Sequence, residues 1–418
     1  MFAILYKHGI INFMKIWIKY LIGIVLGLAS AFILPLDSLQ GSAILAFITE
    51  VVIRIGRYTL IPLLFFSGIM AVYRLNDAKL VAKTSLWTVS VIVASSLLLT
   101  ILGFISIVLV KLPRIPIITE KVSQTTTIDF QNLIRSMIPF SSIESLSNGS
   151  FLLPCFVFAL VVGAGCCMEH SNLKPILSLT DSLSELFFNI STLFTDLLSV
   201  GIVAIMCNWT IQFKAVIKSG VFTPLIIMLT VDFIIVVGII YPLIIRALCH
   251  GGKPLKVLSA CVVPFMTAFF SGDTNLTLPI NMRRGKEKLG IRQRTNGFVY
   301  PLFSIFARGG SALVVIISFV VIWRSYSTLN IEFFDMLWIS GVAFLLSFLL
   351  GGMPVGGTFV ALTVLCTMYG RGMETGYLLL KPAAAIIGSF AALFDAATAM
   401  FGTYIVANNT KTIERHRA

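Results

Sequence analysis

Charge is scarce in this chain. Only 12% of the 418 residues are Asp, Glu, Lys or Arg, about half of what an ordinary soluble domain carries. Acid is scarcer still, with 18 Asp and Glu against 31 Lys and Arg. The seven Cys, at 155, 166, 167, 207, 249, 261 and 366, follow no framework spacing, which excludes a disulfide scaffold. There is no P-loop, no H-E-x-x-H and no Cys/His metal spacing. The four His, at 8, 170, 250 and 416, fall in expected loops or tails, so no intramembrane Ser-His dyad is available. Phe270-Ser271-Gly272-Asp273 does not meet the G-x-G-D pattern of intramembrane aspartyl proteases. No catalytic residue, metal site or cofactor is assigned, and an enzyme is not expected.

What remains is apolar: 57% of residues are hydrophobic, 33 of them Phe, and the mean hydropathy is +0.97. A soluble monomer of this length has no interior large enough for that side-chain load, so the chain reads as an all-α integral membrane protein in a lipid bilayer. The net charge of +13 does not point to nucleic acid. The basic residues, such as Arg283, Arg284, Lys286, Lys288, Arg292 and Arg294, sit in short loops between apolar runs, as the positive-inside rule requires.

A transmembrane helix needs about 20 apolar residues. Eight stretches qualify: 16–35, 44–73, 82–111, 151–167, 184–212, 221–248, 295–323 and 376–407. Two others, 257–280 and 335–368, are interrupted by Ser271-Gly272-Asp273-Thr274-Asn275 and by the Gly- and Pro-rich run 351–358. Such breaks leave backbone groups unpaired in lipid. The expected solution is a pair of re-entrant helical hairpins in inverted repeats, with tips near Gly272–Asn275 and Met353–Gly357. Paired interrupted segments point to a transporter's binding site. Basic loops at 74–83 and 281–294, with Lys411, Arg415 and Arg417, put both termini in the cytoplasm of a multi-pass inner-membrane protein. The first fifteen residues show no small-residue cleavage site and are expected to stay uncleaved. The polar 112–150 connection forms an external excursion.

An ionisable side chain deep in a bilayer costs about 2.5–3.5 kcal/mol on insertion scales and usually serves function or a pair. The candidates are Glu50, Arg54 and Arg57 in the second span, Asp232 in the sixth, Asp273 at the first tip, Arg308 in the seventh and Asp395 in the eighth. Glu50 and Arg54, spaced i,i+4, form a pair on one helix face. Asp232 has no partner near it in sequence and is expected either to be protonated or to face another span. Arg308, in Phe306-Ala307-Arg308-Gly309-Gly310-Ser311, lies too far from either end of its span to snorkel. Gly309 and Gly310 weaken the helix there, and Asp273 and Asp395 are the natural counter-ions.

Six stretches in order resemble the dicarboxylate/amino acid:cation symporter family, the relatives of glutamate transporters. They are Arg57–Phe65, Asn148–Pro154, Ala268–Pro279 (A-F-F-S-G-D-T-N-L-T-L-P), Pro301–Ala312, Gly352–Gly357 and Gly402–Ala407. The resemblance implies a secondary transporter of a small organic solute, an amino acid or dicarboxylate, working by alternating access. It implies a scaffold, mainly residues 1–250, that assembles as a homotrimer, and a transport core over 251–418. Site residues carried over or placed at the hairpins are Asp273, Thr274, Asn275, Thr277, Gly356, Gly357, Thr358 and Asp395. Arg308, Asp232 and Asp395 are the candidates for charge coupling. The family's substrate-holding Asp and Arg fall on Gly388 and Ala391, and its sodium ligands fall on Ala307, Gly309 and Ala399. The coupling ion, sodium or a proton, is therefore expected to be altered or absent. A uniporter, exchanger or anion-conducting relative, or a non-transporting one, is the alternative.

Overall fold

The computed structural model describes residues 15–33, 39–110, 112–116, 139–147, 151–168, 173–249, 251–327, 331–350 and 357–414. Of the expected second hairpin tip, residues 353–356, Gly356 included, lie outside these residues and Gly357 lies within them. The first fourteen residues, most of the 112–150 excursion, the four His, Arg415 and Arg417 also lie outside them. The described residues are helical. Their one β pairing is an isolated antiparallel bridge between Ile291 and Ile413, which ties the C-terminal segment to the loop before α12.

The first half runs α1 (Ile16–Ile33), α2 (Leu39–Arg57), α3 (Leu60–Asp77), α4 (Val81–Leu109), the short α5 (Ser142–Ser147), α6 (Leu152–Met168), α7 (Lys174–Ser219), α8 (Thr223–Ile235) and α9 (Tyr241–Leu248). The second half runs α10 (Pro254–Ser271), α11 (Thr274–Glu287), α12 (Gln293–Phe306), α13 (Gly309–Tyr326), α14 (Phe333–Leu349), α15 (Gly357–Tyr369), a 3-10 segment (Gly376–Ala383) and α16 (Ala384–Asn409).

Eight helical stretches among the described residues are long and apolar enough to cross a membrane. Seven of them coincide with expected spans. The eighth is Pro254–Ser271, assigned from sequence to a hairpin, whereas Leu152–Met168, expected to span, has only 17 residues.

The expected second span is two helices in line, α2 and α3, separated at Tyr58–Thr59. Pro62 accounts for the break, because a residue without an N–H is best accommodated in the first turn of a helix, where no donor is lost. Arg57 thereby becomes the last residue of α2, where the helix dipole favours a cation. In the sixth span a π turn at Val236–Ile240 joins α8 to α9. Pro242, which cannot donate to Gly238, accounts for that irregularity.

Asp273 shares a segment with a helix stop and a helix start. Gly272 takes the left-handed conformation (φ 62°) that closes α10. Asp273 then caps α11, its Oδ1 accepting from the Asn275 N–H at 2.9 Å. α10 and α11 pack on one another, as do α14 and α15. The α12–α13 stretch is the centre of the molecule, with 94% of its most apolar window buried. α4, α14 and α16 pack around it, and α1 lies outside on α7.

Candidate solute site

The seventh span is not one helix. α12 ends at Phe306, Ala307 leaves helical geometry (φ −85°, ψ 62°), and α13 begins at Gly309 with Arg308 at its cap. The two glycines that follow allow the broken end to be buried. A Cβ on Gly310 would overlap Phe394 and lie 2.7 Å from Asp395 Oδ1, and one on Gly309 would overlap the backbone of Ser96 on α4.

Asp395 faces this end. Its Oδ1 accepts from the Ser311 N–H at 3.2 Å and its Oδ2 from the Ser311 hydroxyl at 2.8 Å. The Thr358 hydroxyl, in the first turn of α15, donates to Ser311 Oγ at 3.2 Å. Arg308 Nη1 lies 3.8 Å from Asp395 Oδ2, and Nη2 donates to Asn275 Oδ1 at 3.1 Å. Its Nε is buried with no acceptor. Asp273 is held from elsewhere: Arg57 Nε and Nη2 lie 2.6 and 2.5 Å from its Oδ2. Two arginines and two aspartates thus form one charge-balanced cluster, buried except at Arg57, whose side chain is 18% exposed. It joins α2, the first hairpin tip, the α12–α13 break, α15 and α16.

The structure brings together Asp273, Asn275, Arg308, Thr358 and Asp395. Thr274 and Thr277 are buried just behind the tip, where the Thr277 hydroxyl donates to the Thr274 carbonyl at 2.6 Å. Gly357 opens α15. Asp232 stands apart, accepting from the Ser106 hydroxyl of α4 at 2.7 Å through Oδ1, while its Oδ2 is buried without a hydrogen bond among the described residues. Glu50 and Arg54 do pair, Nη2 to Oε1 at 2.6 Å, and both side chains are exposed.

Sequence reasoning missed the pairing of Arg57 with Asp273 and the role of Trp209. The indole Nε1–H donates to Ser389 Oγ at 3.0 Å, and the ring stacks on Phe213 with centroids 4.4 Å apart. A cavity of about 200 Å3 lies between Thr49, Asn208, Trp209, Ser271, Gly272 and Gly388. It shares Thr49, Ile53 and Asn208 with a groove of about 1000 Å3 that Glu50, Arg54 and Arg57 also line. Among the described residues no three His, Cys, Asp or Glu come together as a metal site would require.

The sequence pattern of the sodium:dicarboxylate symporter family matches residues 14–409. The serine/threonine transporter SstT of Streptococcus agalactiae serotype III (strain NEM316) is 21% identical over 382 residues, covering 86% of this chain and 88% of that one. Neutral amino acid transporter A of Homo sapiens is 24% identical over 192 residues, covering 46% of this chain and 35% of that one.

Proposed function

The chain belongs to the sodium:dicarboxylate symporter family, and from that premise we propose that this multi-pass membrane transporter carries a small neutral amino acid. The observation that carries the reading is the balanced cluster of Arg57, Asp273, Arg308 and Asp395. A zwitterion adds no net charge to it, whereas a dicarboxylate would leave two anions in a buried site with no spare cation. The buried, unpartnered Nε of Arg308 suits the solute carboxylate, and Asp273 suits its ammonium group. The two relatives are described as a serine/threonine and a neutral amino acid transporter, which supports the same solute class.

In this reading the hairpins, α12, α13 and α16 form a core, within 251–418, that carries solute past a scaffold in the first half by elevator-type alternating access. Arg308 supplies a fixed positive charge where relatives gather sodium ligands, so coupling to sodium is altered. The exposed Glu50–Arg54 pair on α2 supports a covered or hydrated scaffold face, as a homotrimer would provide. The basic loops orient both termini to the cytoplasm.

The test is uptake into proteoliposomes of labelled L-serine, L-threonine, L-alanine, L-aspartate and succinate. Saturable uptake of the first three, with the two acidic solutes at least tenfold slower, is expected. Preferred uptake of succinate or aspartate would overturn the assignment.

A further inference from the structure

Among the described residues two ion pairs cross from the first hairpin to helices of the first half, and they are not equivalent. At the hairpin's base, Arg283 Nη1 lies 3.0 Å from Asp196 Oδ1 on α7. Arg283 also has Glu287 on its own helix, Nε to Oε1 at 2.9 Å, so it keeps a counter-ion wherever the hairpin goes. At the tip, Asp273 has no such reserve. Its Oδ1 is taken by the Asn275 N–H, and among the described residues its only direct guanidinium is Arg57 of α2. The nearest alternative in the core, Arg308, is engaged by Asn275 and Asp395. On α2 the other charges, Glu50 and Arg54, satisfy each other. Asp273 is 2% exposed. Moving the hairpin away from α2 therefore leaves a buried carboxylate without a cation, a costly state.

Resting on the alternating-access reading above, we propose that Arg57 is a stand-in for the solute's ammonium group at Asp273. The carboxylate rides with the hairpin and the guanidinium stays on α2. The core leaves α2 only when an ammonium group takes the guanidinium's place. Access exists: Arg57 lines the large groove, and the adjoining cavity reaches Ser271 and Gly272 beside the pair. An empty core is thus held back and a loaded one released, which makes the protein an exchanger before it is a net transporter.

The experiment compares efflux of labelled L-serine from proteoliposomes into solute-free potassium buffer with efflux into the same buffer containing L-serine. In the unaltered protein, exchange is expected to exceed net efflux at least tenfold. Asp273→Asn, which removes the charge that must be matched, brings the two within twofold. Arg57→Met keeps the Asp273 carboxylate and removes its competitor, so the half-saturating L-serine concentration falls at least threefold, an outcome that a merely structural pair would not give. Equal net efflux and exchange in the unaltered protein would overturn the proposal. Net efflux restored by sodium alone would do the same, as would a higher half-saturating concentration in Arg57→Met.

If no amino acid is carried at all, the solute assignment fails and the pair is tested without transport. Ile53→Cys and Phe270→Cys, both lining the smaller cavity, are introduced into a cysteine-free background and cross-linked with mercury. Ethanolamine hydrochloride in place of potassium chloride is expected to lower cross-linking at least threefold, and to have no effect once Asp273→Asn is added. Unchanged cross-linking in the parent background overturns the role of Arg57.

Discussion

Arg308 and Asp395 should behave as one energetic unit. Nη1 and Oδ2 are 3.8 Å apart, which at an effective dielectric of 20 corresponds to an attraction of about 4 kcal/mol. Removing both ions from water offsets much of this, so the pair's value lies in what a lone survivor would cost. Arg308→Met leaves Asp395 with the Ser311 N–H and hydroxyl but no cation, and is expected to cost about 3–5 kcal/mol. Asp395→Asn keeps an acceptor for Ser311 but strands the guanidinium with Asn275, and should cost a similar amount. The double variant buries no charge at this place. It should lose less than the sum of the two single losses, with a coupling energy of about 2–3 kcal/mol, at the upper end of the range for residues in one network. Denaturant unfolding in a single defined detergent, followed by tryptophan emission, measures all four corners of the cycle. Single losses that add within about 0.5 kcal/mol would refute the argument, because independent sites behave that way.

Three further outcomes are expected. Gly310→Ala should lower stability by about 1–3 kcal/mol through overpacking against Phe394 and Asp395, whereas Gly341→Ala, where nothing lies within 4 Å of the added carbon, should not destabilise; thermal unfolding of the two variants decides. Thr358→Val removes the hydroxyl that α15 donates to Ser311 and should weaken L-serine binding about threefold to tenfold, equivalent to a hydrogen bond of about 1 kcal/mol; an unchanged calorimetric affinity would detach α15 from the site. A sodium ion 4 Å from Arg308 would meet a repulsion of about 4 kcal/mol at an effective dielectric of 20; a sodium titration at fixed ionic strength should therefore change L-serine affinity less than twofold, and strong dependence would mean that sodium is held elsewhere.

The parts of the fold that were legible are those set by composition and local backbone chemistry. Apolar length located the spans, because lipid demands it regardless of neighbours. Ser271-Gly272-Asp273 announced its turn, since a left-handed glycine followed by a capping acid ends one helix and begins another. Gly309-Gly310 announced the weakness of the seventh span. The division of the second span at Tyr58–Thr59 and the π turn before Tyr241 were signalled by Pro62 and Pro242, but apolar length alone passed over both. The 17 residues of Leu152–Met168 show the limit of the length criterion from the other side.

Charge need was legible and charge partnership was not. Arg308, Asp273 and Asp395 stood out because each is an ionisable side chain inside an apolar run, where a charge needs an opposite. Which opposite it finds depends on topology. Asp395 meets Arg308 across 87 positions, and Asp273 meets Arg57 across 216. Arg308 had two acids to choose from in the sequence, and the choice is made by the glycines that let α13 close on α16. That choice frees Asp273 for a cation from the other half of the chain. The function proposed for Arg57 follows from this division. In the proposed mechanism a cation inside the core travels with its acid, whereas a cation on α2 is left behind, and only the second kind can be exchanged for a charge carried by the solute.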